Sequence, residues 1–398
     1  VNIKTFTSYN LLHGASDALS DFTPNKGLDW TRKDPGLGKN MLNYYIADMN
    51  FEYGDSSNSF FINKSSKHWG PGKRSLILSN KMPSFPHLGF SMRFPSNINF
   101  EYFHGNLQSN LEDQNYNYYY AGGKTKQISR NIAGHRINLE LFKKINIGLS
   151  ELVIYSNRSI ELGYILPFIP FFPIQNYLND IDNIIMSFDI DYDIALNRKI
   201  YASFLIDEWS PPYTFREKNH NWFGYQGGLK FEDLYFNTDE LIMEFTWTDH
   251  RIYHHRFQSN DAYSWNYPIG FWAGPHAQEL YINYSFNFYE NRVEIGASNS
   301  KRGEYTDSMR VEQYNNNKVY NRFGNNSLSC VDCVGTLEEK KTVNISVFKE
   351  INSNIHMNFK FSSIIWLNSG FEPTKPKLAS NLANLYKQSI SIGLSFNY

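Results

Sequence analysis

Apolar and polar residues alternate along most of the chain in stretches of about ten positions, the pattern of β-strands whose two faces meet unlike surroundings. Over residues 187–196, Phe188, Ile190, Tyr192, Ile194 and Leu196 share one face, while Ser187, Asp189, Asp191, Asp193 and Ala195 share the other. One face is greasy and the other anionic. Ile355, Met357, Phe359 and Phe361 alternate in the same way with His356, Asn358 and Lys360. At the end of the chain, Ile390, Ile392, Leu394, Phe396 and Tyr398 alternate with Ser389, Ser391, Gly393, Ser395 and Asn397. The same beat recurs near 43–53, 88–94, 98–104, 136–142, 221–231, 240–249, 279–289, 292–299 and 341–349.

Soluble β-sandwiches also alternate, so the links between strands carry the distinction. Short links near 94–98, 142–146, 196–199, 232–239, 289–292 and 349–354 take turns with long segments near 11–42, 67–86, 106–130, 157–184, 208–221, 250–277, 300–339 and 367–386. Outer-membrane barrels have this parity, with short periplasmic turns and long extracellular loops. The pattern predicts an all-β chain forming one domain over 1–398, a closed antiparallel transmembrane β-barrel of about 16 to 18 strands in the bacterial outer membrane. The sequence opens on Val1 with no basic-then-apolar leader in its first residues, which points to a removed signal or a truncated N-terminus. Its last strand ends on an aromatic, with Ser391, Gly393, Phe396 and Tyr398 spaced as in the C-terminal signal read by the barrel-assembly machinery.

Composition narrows the partners. The 398 residues carry 38 Lys+Arg against 39 Asp+Glu, so no basic field exists to hold nucleic acid. An aromatic share of 17% excludes a disordered chain. The longest apolar run, residues 164–174, contains Pro167, Pro170 and Pro173 and falls short of the roughly 20 residues of a spanning helix. Cys330 and Cys333 are too few for a closed zinc site; they suit a local disulfide staple in the outer loop 300–339, or two idle thiols. Neither metal nor cofactor is expected. The stretch Gly148-Leu-Ser150-Glu-Leu152 lacks the second glycine of a nucleophile elbow. His254 and His255 are adjacent and point to opposite faces of an extended chain, so they cannot chelate one ion together. No catalytic constellation is legible, and the chain is expected not to be an enzyme.

The tryptophans suggest what the loops do. Trp247 and Trp366 fall near outer strand ends, where an aromatic girdle is expected. Trp30, Trp69, Trp209, Trp222, Trp265 and Trp272 fall in outer loops or at the mouth, interleaved with Tyr213, Tyr253, Tyr263, Tyr267, His254, His255, Asp261, Asn266 and Glu217. Such a mixture suits stacking on sugar rings while carboxylates and amides bond hydroxyls. Trp69, Trp209, Tyr213, Trp222, Trp265, Tyr267 and Trp272 are therefore the candidate polysaccharide-binding residues; packing of the loops against one another is the alternative for each. A barrel of this size leaves an aqueous channel unless something fills it. The apolar segment near 157–184 is expected to fold inward or clamp over the mouth. Charges on the inward faces, among them Asp48, Glu52, Arg93, Glu101, Arg136, Glu140, Asp189, Asp191, Asp193, Lys230, Glu244 and Lys360, are expected to pair across the wall or with loop residues.

An ordered set of short matches adds to this reading. Trp69-Gly-Pro-Gly72 is followed by Ser75-Leu-Ile-Leu-Ser-Asn80 and the prolines Pro83 and Pro86. Then come His135-Arg136, Gly148-Leu-Ser-Glu151, Glu161-Leu-Gly-Tyr-Ile-Leu-Pro167-Phe-Ile-Pro170, Asn183-Ile-Ile-Met-Ser187, Asp207-Glu208, Gly274-Pro275 and Glu279-Leu280. In this order they resemble the Wzi family of capsule-assembly proteins, over roughly residues 60–300. The resemblance implies an eighteen-stranded outer-membrane barrel, occluded by its loops, that acts as a surface lectin. The implied partners are capsular or other surface polysaccharide and outer-membrane lipid. The alternative is a porin or saccharide channel.

Overall fold

The computed structural model describes residues 2–14, 30–33, 41–55, 57–114, 126–213, 221–265, 267–303, 337–368 and 384–397. In chain order the strands are β1 (Asn2–Gly14), β2 (Trp30–Lys33), β3 (Met41–Gly54), β4 (Asn58–Ser65), β5 (Phe85–Phe94), β6 (Ile98–Glu112), β7 (Gln127–Leu141), β8 (Ile145–Ser156), β9 (Asn183–Ala195) and β10 (Arg198–Glu208). They continue with β11 (Trp222–Glu232), β12 (Glu240–Thr248), β13 (Tyr263–Ser264), β14 (Tyr267–Pro268), β15 (Ala277–Phe288), β16 (Asn291–Arg302), β17 (Glu338–Asn352), β18 (Ile355–Leu367) and β19 (Leu385–Asn397). All pairings are antiparallel; wall neighbours are consecutive in sequence except β1 with β3 and β12 with β15, and β1 against β19 closes the ring, with Tyr9 opposite Leu394 and Thr7 opposite Phe396. β13 and β14 form a separate small hairpin. The large sheet has 17 strands, of which β2 is an extra piece alongside β3, so the barrel itself has sixteen. The eighteen implied by the family resemblance are not found among the described residues.

Alternation places the side chains as expected. Ile62, Leu88, Leu149, Phe188, Leu229, Met243, Ile295, Ile345 and Ile392 all point outward and are exposed around the ring. Such a continuous band would be a costly patch in water and is the natural surface in lipid. Phe204, Phe223, Tyr225 and Trp247 cluster toward the outer end of the outward face, with ring centroids 5.0–5.4 Å apart in successive contacts. Tyr284, Phe286, Phe288 and Tyr289 gather at the periplasmic end. Trp366 departs from its expected girdle position: its indole points into the lumen, buried, and donates to Glu338 at 2.7 Å. Inward charges pair, Arg136 with Asp189 at 2.5 Å, Lys199 with Asp191 at 2.7 Å, and Lys230 with Glu240 at 2.8 Å.

The segment 157–182 corrects the sequence reading. It neither enters the lumen nor caps the mouth; it folds down over the outside of the wall formed by β5–β9. Its short helix α1 (Phe171–Tyr177) and the buried Tyr164 and Phe171 pack on Phe100, Tyr102, Val153, Tyr155 and Ile184, all outward-facing. Phe168 reaches within 4.8 Å, centroid to centroid, of Phe100, which lies two residues into β6 from the periplasmic turn. Polar groups facing lipid must find partners within the protein. The segment supplies them for the wall: the Tyr102 hydroxyl donates to the Tyr164 carbonyl at 2.8 Å, and His135 sits 3.1 Å from the Pro167 carbonyl and 2.9 Å from Glu151. The wall supplies them in return, since the Glu151 carboxylate accepts from the Phe171 and Phe172 amides at 2.8 and 3.1 Å. Pro167, Pro170 and Pro173 carry no N–H that would need a partner. With its polar edge buried, the segment turns Leu166, Phe168, Ile169 and Phe172 outward, where lipid rather than the lumen receives them.

Two outcomes test this arrangement. Glu151→Ala leaves two helix-end amides and His135 without their acceptor, at about 1–3 kcal/mol per orphaned group; proteolysis of the 157–182 segment in nanodiscs should accelerate while the barrel stays heat-resistant. In the periplasmic turn, Asp239 accepts from the amides of Leu234, Tyr235 and Phe236 and from the Tyr284 hydroxyl. Burial works to raise its pKa, but these hydrogen bonds outweigh it and bring the group down to about 2. A depressed carboxylate stabilises fully above its unfolded value near ~3.9 and loses that contribution as pH falls through the folded value. The stability gap between wild type and Asp239→Asn, followed by urea unfolding, should therefore be widest at neutral pH and close toward pH 2.

Candidate functional site

The lumen of a large barrel is normally polar, yet the upper inward faces of β5–β8 carry Phe85, Phe103, Leu107, Ile132, Leu152 and Ile154. The segment 66–84, between β4 and β5, turns into the barrel and buries Trp69, Leu76, Ile77, Leu78 and Met82 against them. A local turn holds its shape: the Trp69 amide donates to the Leu78 carbonyl at 2.9 Å. The Ser75 hydroxyl donates to the Trp69 carbonyl at 2.5 Å and accepts from the Ile77 and Leu78 amides at 3.2 Å.

Charge anchors this plug to the far wall. The Arg74 guanidinium meets Glu279 of β15 at 2.9 Å and lies 4.1 Å from the ring centre of Tyr281. Glu244 of β12 accepts from the Lys73 and Arg74 amides at 2.5 and 3.1 Å and from the Tyr201 hydroxyl at 2.5 Å, and Gln226 of β11 donates to the Arg74 carbonyl. Arg74, Glu244 and Glu279 are each at most 2% exposed. Gly72 lies so close to Gln226 and Glu244 that a Cβ there would fall 2.6 Å from both side chains.

A second layer covers the first. Segment 249–276 buries Ile252, Tyr253, Tyr263, Ile269 and Phe271 on the plug. The Ser79 amide donates to the Ile269 carbonyl at 2.6 Å, and the Tyr253 hydroxyl to the Leu76 carbonyl at 2.5 Å. Gly270 approaches the Leu76 carbonyl where a Cβ would stand only 1.9 Å away. Arg130 of β7 donates to the carbonyls of Gln258, Ser259 and Tyr263 at 3.0, 2.6 and 2.8 Å. Burial opposes the charge on Asp249, but Arg251 at 2.8 Å, aided by His250 and the Arg251 amide, holds its carboxyl well below the usual range. His254 is buried beside Asp261 at 3.3 Å, and the His255 amide donates to the same carboxylate at 2.7 Å.

The candidate sugar-binding side chains separate accordingly. Trp69 is 4% exposed within the plug and donates to Glu101 at 3.2 Å; Trp222 is 6% exposed, 5.8 Å from the Arg251 guanidinium. Trp209 is 49% exposed beyond β10. Trp265, Tyr267 and Trp272 are half-buried on the second layer. Trp272 donates to Glu279 at 3.0 Å, and Lys340 lies between it and Trp366, at 5.1 and 4.9 Å from the two rings. The side chains of Trp30 and Tyr213, together with Glu217, Asn266, Cys330, Cys333 and Tyr398, lie outside the described residues. Ser391, Gly393 and Phe396 belong to β19, Ser391 and Gly393 facing inward and Phe396 outward. Sequence reasoning missed Arg74 and Glu279 as the plug's anchors. The available signal was an apolar run, Leu76-Ile77-Leu78, in a segment otherwise assigned to water.

No protein-family model and no curated sequence matches this chain. Among solved structures it is similar to Wzi of Escherichia coli, described as an outer-membrane protein involved in group 1 capsule assembly and a carbohydrate-binding β-barrel. The identity is 11%, the match covers 98% of this chain and 84% of that one, and the TM-score is 0.59. It is also similar to OccAB2 of Acinetobacter baumannii (7% identity, 100% and 97% covered, TM-score 0.49) and to the outer-membrane protein OprD of Pseudomonas aeruginosa (9%, 100% and 92%, 0.46). At these identities the likeness is one of fold. The chain is a multi-pass β-barrel of the bacterial outer membrane.

The plug's anchoring is testable. Arg74→Met leaves Glu244 and Glu279 short of their buried cation, a loss of about 3–5 kcal/mol. Planar-bilayer recording should show little steady conductance for wild type and frequent channel openings for the variant.

Proposed function

We propose that the chain is a non-catalytic surface protein that holds capsular or other surface polysaccharide at the outer membrane, rather than a porin. The observation that carries this reading is the filled lumen: two stacked segments, 66–84 and 249–276, bury an apolar core and the Arg74–Glu279 pair where a channel would need water. A pore whose constriction is a dry, hydrogen-bonded core passes solutes only after that core opens. A protein of the same fold is described as carbohydrate-binding and involved in capsule assembly. Of the Wzi-like motifs, residues 69–72 and 75–80 lie in the plug, Gly274-Pro275 in the layer above it and Glu279 on its wall anchor, which supports a resemblance in what occludes the barrel.

In this reading the outer crown is the binding surface. Trp209, Trp265, Tyr267 and Trp272 offer aromatic faces to the apolar faces of sugar rings, and neighbouring carboxylates and amides take the hydroxyls. Trp69 and Trp222 act beneath the surface by fixing the plug and rim. Tyr213 belongs to the same crown by position. Partial exposure of each ring argues for several weak contacts along an extended chain, whose avidity comes from repetition.

Removing one ring should weaken binding by about 3- to 10-fold, as expected for a contact of roughly 0.5–1.5 kcal/mol. Retention of purified surface polysaccharide by immobilised protein should fall stepwise in Trp209→Ala, Trp272→Ala and the double variant. Unchanged retention in the double variant, with the barrel still folded, would remove the crown from the site.

A further inference from the structure

The outer wall holds a cavity that shares only Trp209 with the proposed polysaccharide crown. A cleft of about 970 Å³ opens between the 157–182 segment and the outward faces of β7–β10. Its floor is apolar, made by Ile137, Leu149, Met186, Phe188 and Ile206, and one flank is Pro170, Phe172 and Pro173. Midway along it the lining also includes His135 and Glu151, which are bonded to each other and to the 157–182 segment, and most of the remaining polarity gathers at the outer end. There the lining includes Glu208, the half-exposed indole of Trp209, His255 and the ion pair between Arg256 and Asp180.

The strand pairing explains why a cleft forms here. β9 and β10 stay paired up to Met186 opposite Ile206 and then part. Asn183, Ile184 and Ile185 remain bonded to β8 alone in the sheet, while a register shift at Asp207 turns the end of β10 toward β11. The wall therefore has a seam at its outer end. The second layer over the plug reaches that seam: Asn183 donates to the Asn260 carbonyl at 3.0 Å, and the Tyr253 amide donates to Asp207.

We propose that this cleft holds a glycolipid of the outer leaflet, with an acyl chain along the apolar floor and its sugar head group against the rim. A water-soluble ligand would leave the apolar floor uncovered. An ordinary annular lipid needs no concavity and no polar end. The volume lies at the upper end of the roughly 300–1,000 Å³ typical of small-molecule sites. The rim chemistry selects the head. Glu208 and Asp180 accept from hydroxyls, Arg256 donates to ring oxygens or an attached phosphate, and Trp209 presents a face on which a sugar ring can stack. A glycerol head has no ring to offer that indole. The proposal stands whether or not the crown binds polysaccharide.

The test uses the full chain in nanodiscs and two probes carrying a photoactivatable acyl chain: lipid A, an acylated glucosamine disaccharide, and phosphatidylglycerol. Labelled peptides are mapped by mass spectrometry. Lipid A should label α1 and the upper halves of β9 and β10 at least about tenfold above the lipid-facing positions of β16–β18, and above phosphatidylglycerol at the same peptides. Met186→Trp, which fills the floor, should cut that labelling about tenfold, and Ile345→Trp on the far wall should leave it unchanged. Excess unlabelled lipid A should compete on the wild type, so the result does not depend on Met186→Trp folding. Even labelling around the barrel, equal labelling by both probes, or no competition would overturn the proposal. None of these outcomes bears on polysaccharide retention by the crown.

Discussion

The structure depends on one constraint, that a polar group facing lipid has no water to fall back on. Closing β1 on β19 satisfies the backbone of the wall and leaves the ring without an edge. The constraint then reaches the side chains. Tyr102, His104, His135, Glu151 and Tyr155 sit on outward positions where their neighbours are aliphatic or aromatic, and each finds its partner in the 157–182 segment or in another member of the group. The three prolines of that segment read differently in this light. They thin out the donors that a non-helical stretch would otherwise carry into the lipid zone.

The same logic runs in reverse inside the barrel. A lumen tolerates charge because water or other charges reach it, and here protein takes the water's place. Arg74 enters on an apolar segment and is held by carboxylates from strands more than a hundred residues away in sequence. Burying such a set gains little over a hydrophobic core of equal volume, but removing one partner costs several kcal/mol. Its effect is to specify where the plug sits, and through the Leu76 carbonyl and Ser79 amide it positions the segment that lies above it.

Much of the fold was legible in the sequence because both of its governing signals are local. Two-residue alternation locates strands such as 187–196 and 355–361, and the parity of short and long links orients them. What was not legible depends on contacts between distant segments. Leu76-Ile77-Leu78 and Ile165-Leu166-Pro167-Phe168 are both short apolar runs in long loops, and nothing within either run says that the first goes into the lumen and the second onto the outer wall. The difference lies in the receiving surfaces, apolar inward positions on β5–β8 for one and polar outward positions on β6–β8 for the other. Trp366 was misplaced for a related reason: its parity along β18 puts it beside Glu338, where nearness to the strand end had suggested the girdle. The described residues form sixteen wall strands, the lower end of the range read from the alternation, rather than the eighteen that the family resemblance implies.

The plug also constrains the order in which the protein can mature. Its segment is synthesised early, between β4 and β5, but its anchors lie on β12 and β15, with 205 residues separating Arg74 from Glu279. Contacts of such long sequence separation form late, because the intervening chain must first be confined. Without β12 and β15 the segment has its apolar contacts with β5–β8 but neither Glu244 nor Glu279, so its buried Arg74 finds its partners only once the later strands of the wall have joined the sheet.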